Sequence, residues 1–219
     1  MQSGHRKRVL NKLRQKALIS DYELLEAVLF FAIQRSDTKK VAKTLLLHFG
    51  SLQKILTAPY EELMAIHGIG ERSAHLLTLL GQVYEFILHE SLKERPVIAS
   101  MDTLLEYCRL QMSHLPVEQV RVLFLNTQKK LLKNEVIHTG TYNSSVIYPR
   151  NIIKQALLIE ATSMILIHNH PSLDVRPSHE DIHVTKHLAQ AASMVKITLL
   201  DHIIIGANDF FSLKTAGLF

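Results

Sequence analysis

"SMILIHNHPSLDVRPSHEDIHVTKHLAQAASMVKITLLDHIIIG", residues 163–206, decides the fold. It opens on a short apolar run, "SMILIH", of a length that suits a buried strand. A loop punctuated by Pro171 and Pro177 follows, then "SHEDIHVTKHLAQAASMV", whose apolar residues recur at helical spacing. "KITLLDHIIIG" supplies the next strand. Strands alternating with helices imply an α/β layer structure, in which each element buries its apolar face on the next layer. The same alternation extends upstream. "MDTLLEYCRLQM" reads as a helix, "VRVLFLN" and "KLLKNEVIHTG" as strands joined by a polar turn, and "PRNIIKQALLIEA" as a helix with Pro149 at its start.

The loop after "SMILIH" carries chemistry. Side chains at i and i+2 of a strand share a face, so His168 and His170 point together and Asn169 points away. Pro171 cannot continue a central strand, which puts the pair at the strand's C-terminal end, a usual place for sites in α/β sheets. Two imidazoles converging there suit zinc, which accepts His and Asp ligands. At 100° per residue, Val184, Thr185, Leu188, Ala192 and Val195 fall within about 60° of Asp181. Asp181 therefore faces the core, while His179, His183 and His187 fall opposite with Lys186 and Gln190 and read as solvated. A buried acid needs a partner, and a metal held by His168 and His170 would supply one. Capping is the alternative reading. Ser178 and Asp181 have the S-x-x-D spacing of a helix start, and the histidines alone could mark a polar loop end.

Residues 1–92 read as a helical domain, 93–100 as a linker around Pro96, and 101–219 as the α/β domain. In the helical part, Ser20 and Glu23 form a capping-box pattern before an apolar run, and Gly50 stops the helix that follows. Residues 59–80 then predict a helix, a tight turn and a second helix. In that turn Gly68 and Gly70 flank Ile69, which packs inward, and the bare backbone beside a helix N-terminus can hold a phosphate oxygen. A plain interhelical turn uses the same residues.

Charge is uneven. Residues 1–95 hold 14 Lys/Arg and 10 Asp/Glu, against 11 and 10 beyond, and six basic residues from Arg6 to Lys16 precede any acid. Such a field favours a phosphate backbone, and a solvated basic tail that aids solubility reads equally well. With Cys108 as the lone cysteine, a disulfide framework and a cysteine zinc site are excluded, and a reducing cytosol fits. The basic N-terminus has no apolar stretch behind it, and "LLEAVLFFAI" is too short to span a bilayer, so a cytoplasmic protein without membrane segments is expected.

His168-x-His170, seven residues, Ser178, two residues and Asp181 resemble the signature of the JAB1/MPN (JAMM) metalloproteases. "FLNTQKKLLKNEVIHTGTYNSSVIYPRNIIKQAL", "HNHPS", "PSHED" and "LLDHIIIG" narrow the resemblance to the RadC family, named for DNA repair, over essentially the whole chain. The resemblance implies a cytidine-deaminase-like α/β/α sandwich preceded by a helix-hairpin-helix domain. It also implies one zinc ion on His168, His170 and Asp181, with water in the fourth position. Glu135 would be general base toward that water, and Ser178 would donate to the tetrahedral oxyanion. The segment departs from the family loop at Leu173 and Val175, where glycine and proline are usual. The ligands flank these positions, so substrate access or turnover is more exposed to the change than metal binding.

The expected activity is hydrolysis of a peptide or isopeptide amide in an unnamed substrate, together with DNA-backbone binding through Gly68, Ile69 and Gly70. Two alternatives stand beside it: a non-enzymatic DNA-binding repair or recombination protein with a structural or vestigial zinc, and a metal-dependent nuclease. Glu135 alternates with Lys133 and could equally be an exposed strand acid. His202 reads as structural, His67 and His138 as turn or surface residues, and Cys108 as half-buried. Tyr142, Asn143 and Ser144 are placed near Glu135, lining the cleft.

Overall fold

The computed structural model describes residues 3–33, 37–97, 101–113, 115–140, 147–172, 174–206 and 209–219. It divides into two compact units, Met1–Tyr84 and Glu85–Phe219. The division falls inside one long helix, and the linker placed at 93–100 begins in that helix's last turn.

The first unit comprises α1 (Ser3–Arg14), α2 (Asp21–Ala32), α3 (Thr38–Phe49), α4 (Leu52–Leu56), α5 (Tyr60–Met64) and the start of α6 (Glu71–Glu94). Ser20 and Glu23 close a full capping box on α2, and Gly50 ends α3 at φ 86°. Leu25, Leu29, Leu45, Ile55, Leu63 and Leu77 are fully buried in one core. The basic N-terminal stretch is the helix α1 rather than a solvated tail. Val9 is fully buried beside Ala27 and Phe30. Lys12 pairs with Glu23 at 2.6 Å, and the Arg6 guanidinium lies 4.6 Å from the Phe30 ring centre. Glu26, the charge that interrupts the apolar run of α2, is 1% exposed and lies 2.8 Å from His5 Nε2. Burying that acid is tolerable because α1 brings it a partner.

The second unit holds α7 (Met101–Met112), β1 (Gln119–Leu125), β2 (Leu131–Thr139), α8 (Pro149–Leu158), β3 (Ser163–Asn169), α9 (His179–Met194), β4 (Thr198–Ile205) and β5 (Phe210–Ser212). The five strands form one mixed sheet in the order β2-β1-β3-β4-β5, with β3 and β4 parallel and the other pairs antiparallel. Val120, Val122, Phe124, Met164 and Leu166 project to one face and pack with Ile152 and Ala156 of α8 and Val184, Leu188 and Ala192 of α9. Side chains alternate to the other face, where Arg121 bonds Gln111 and Asn134 bonds Tyr107, both on α7. The mixed α+β architecture expected from the sequence, a helical N-terminal region followed by a layered sheet, is the one observed. Cys108 is buried in α7 at 3% exposure rather than half-buried, and burial pushes its thiol up to about 12. No helix among the described residues is long and apolar enough to cross a membrane.

Candidate metal centre

Every residue of β3 is buried, so its last turns carry polar side chains into the protein only where partners wait. His168 is 1% exposed. Its Nδ1 lies 2.7 Å from His202 Nε2, and its Nε2 faces His170 Nε2 at 2.8 Å. Asn169 points to the opposite side. Its Oδ1 accepts from Gln119 N–H at 2.8 Å, and its amide donates to the Val117 carbonyl at 3.1 Å. The residue between the histidines thus clasps the start of β1 and holds the strand end on which both rings depend. His170 lies just past β3, with its backbone N–H bonded to the Ile205 carbonyl at 3.1 Å.

Asp181 arrives from the first turn of α9. Its two oxygens do different things. Oδ2 accepts from the Ser178 backbone N–H at 2.7 Å and from the Ser178 hydroxyl at 2.6 Å. That is a capping box, completed by Asp181 N–H donating back to Ser178 Oγ at 3.1 Å. Oδ1 is buried without a hydrogen-bond partner and lies 3.5 Å from His168 Nε2. Oδ2, the capping oxygen, also lies 3.8 Å from His170 Nε2, so capping and convergence on the histidines are both present. The ligand-capable atoms of His168, His170 and Asp181 all lie within 4.8 Å of one another. His179, His183 and His187 are exposed on the far side of α9.

The donor set fits a divalent cation. His170 Nδ1 lies 2.6 Å from the Asp174 carbonyl. A carbonyl only accepts, so that nitrogen carries the proton and Nε2 presents a lone pair when the ring is neutral. Burial pushes His168 down to about 4, against the opposing pull of Asp181, so its ring is neutral near pH 7. A carboxylate oxygen without a hydrogen-bond partner and two imidazole nitrogens gathered at one place are ligands of the kind zinc takes.

Glu135 sits on the same sheet face but outside this cluster. It pairs with Val122, which pairs with Leu166, two residues before His168. Two strand spacings separate β2 from β3, roughly 10 Å. Lys133 Nζ lies 2.9 Å from Glu135 Oε2 as an ion pair without hydrogen-bond alignment. His138 lies within β2 rather than in a turn. A register shift between Val120 and Arg121 puts it opposite Val120, in the row of His168, and its Nε2 is buried without a hydrogen-bond partner. Tyr142, Asn143, Ser144 and Leu173 lie outside the described residues, and Val175 is half-buried. Beyond the residues expected from the sequence, His202 backs His168 directly, and Thr185 backs His202. The available signal was a histidine inside the apolar run "LLDHIIIG".

In the hairpin, Gly68 has φ 92°, and a Cβ there would meet Val41 Cγ2 at 2.7 Å. Both facts require glycine. Ile69 is 7% exposed in the helical core, as its inward reading requires. The amides of Ile69 and Gly70 are occupied, donating to the Ile66 carbonyl and to Ser73 Oγ at 3.0 Å. The open donors are those of the first turn of α6, at Glu71 and Arg72, which have no acceptor four residues back within the helix.

A mixed sheet with a His-x-His strand end facing an aspartate on the next helix, in a chain that also holds a helical unit with a glycine hairpin, defines a JAB-type domain joined in sequence to a helix-hairpin-helix unit. Residues 98–218 match the family described as RadC-like JAB domain, and residues 38–79 match the helix-hairpin-helix motif. The chain belongs to the RadC-like JAB family.

Proposed function

We propose that this protein is a zinc-dependent hydrolase of peptide or isopeptide amides whose helical unit binds DNA backbone. The observation that carries the reading is the buried Oδ1 of Asp181, without a hydrogen-bond partner and 3.5 Å from His168 Nε2, with His170 Nε2 3.8 Å from Oδ2 of the same carboxylate. His168, His170 and Asp181 would hold the ion. Bound there, it supplies Lewis acidity, polarising a carbonyl and acidifying water toward neutral pH.

The remaining chemistry belongs to the chain. Glu135, on the sheet face shared with His168, takes a proton at its carboxylate and returns it to the leaving nitrogen. Lys133, on the same strand, lies 2.9 Å from its Oε2 as an ion pair. Ser178 holds Asp181 in place through the cap. For its hydroxyl to donate to a developing oxyanion it must leave Asp181 Oδ2. Glu135→Gln keeps size and polarity but cannot accept the proton. It should lower amide hydrolysis by about 10²-fold or more, while zinc and DNA binding stay at wild-type level. Equal hydrolysis rates for the two proteins would contradict the assignment.

A second reading is favoured by two of the same contacts: Glu135 is paired with Lys133, and the Ser178 hydroxyl is engaged within the cap. In that reading the ion ties β3 to α9 without turnover, and the protein acts through DNA alone. Hydrolysis lost with Glu135→Gln separates the two.

A further inference from the structure

His168 and His202 are 1% exposed, and Thr185 is fully buried. They form one chain. Thr185 Oγ1 donates to the Asp181 carbonyl, and the same oxygen lies 2.6 Å from His202 Nδ1. His202 Nε2 in turn lies 2.7 Å from His168 Nδ1. The direction of every bond follows from its last member. A carbonyl only accepts, so the single hydroxyl proton of Thr185 is spent on Asp181. Toward His202 that oxygen can then only accept, so His202 Nδ1 carries its proton. A neutral imidazole has one N–H, so with Nδ1 protonated the Nε2 of His202 accepts. His168 must therefore donate from Nδ1, which leaves the Nε2 lone pair facing His170 and Asp181.

We propose that Thr185 and His202 are positioning residues that set, by hydrogen-bond direction, which ring nitrogen His168 presents to a divalent cation. This rests on the metal reading above and deepens it. The relay starts on the backbone of Asp181, whose side chain faces the same cluster. It therefore ties the ligand on α9 to the ligand on β3 through β4. A register slip of β4 against β3, where Leu166 is opposite His202, would break it.

The test compares Thr185→Val, which keeps the shape and removes the hydroxyl, with Thr185→Ser, which restores it. Zinc affinity is read by competition with a chromophoric chelator, and the His168 tautomer by ¹⁵N chemical shifts in metal-free protein. Thr185→Val should bind zinc about 10–100-fold more weakly, and Thr185→Ser within about threefold of wild type. His168 should be a single Nδ1–H tautomer in wild type and Thr185→Ser, and a mixture in Thr185→Val. If Thr185→Val does not fold, His202→Gln keeps an acceptor toward His168 and a donor toward Thr185. It should hold zinc within the same about threefold margin, whereas His202→Leu should not. Unchanged affinity and tautomer in Thr185→Val overturn the relay. So does a Thr185→Ser as weak as Thr185→Val, or a His202→Gln as weak as His202→Leu. Wild-type protein that takes up no zinc overturns the metal reading itself, and the relay's role with it.

Discussion

Asp181 shows how one side chain can cap a helix and still present an oxygen to a buried histidine. Its Oδ2 is committed to the start of α9 by two bonds from Ser178, which leaves Oδ1 pointing at His168 with a geometry the helix has already set. Gly81 makes the parallel point for packing. A Cβ there would lie 2.0 Å from the Leu56 carbonyl oxygen, so α6 passes α4 only because the side chain is missing. Alanine is worth about 1 kcal/mol more than glycine in a free helix. Here the clash is with backbone, so that gain is reversed. Gly81→Ala should cost about 1–3 kcal/mol in a urea melt followed by helical circular dichroism, and a variant as stable as wild type would show that the two helices are free to separate. Individual residues were legible in the sequence where local spacing carried them. His168, His170 and Asp181 fell together from strand and helix periodicity, whereas the close approach at Gly81 depends on a helix 25 residues away in the chain and leaves no local trace.

At the scale of elements, what the sequence hid was hidden by size or by charge. α4 has five residues and β5 three, too few for a period to register. α1 is long enough, but Arg6, Lys7, Arg8, Lys12 and Arg14 mask the short apolar stripe of Val9, Leu10 and Leu13 that docks it. His202 was visible as a residue but not as a neighbour of His168, because only the parallel pairing of β3 with β4 brings them together. His138 falls inside the strand read from "KLLKNEVIHTG", but only the register shift in β2, which no local spacing announces, puts it in the row of His168. The first turn of α6 and the cations outside the helical core form the element-scale case for DNA. Lys39, Lys40, Lys43, Lys54 and Arg72 are all exposed. Binding through such groups releases counterions from the phosphate backbone. Each phosphate neutralised lowers the slope of log affinity against log salt by about 0.9 on duplex DNA. A titration over rising salt should therefore weaken binding steeply and alike for unrelated sequences, and affinity insensitive to ionic strength would count against the hairpin unit as a DNA binder.

At the scale of the whole molecule, the chain unites a basic helical unit and a sheet domain whose polar centre is buried at a strand end. The sheet supplies two imidazoles, the following helix supplies a carboxylate, and β4 supplies the ring behind His168. Cooperative folding of these elements assembles the cluster, so metal content reports on the entire arrangement. The most direct measurement is the zinc content of protein purified without added metal, beside His168→Ala and Asp181→Ala prepared in the same way. One zinc per wild-type chain is expected, and loss of that zinc in both variants, with DNA binding retained. Zinc retained in both variants would contradict it.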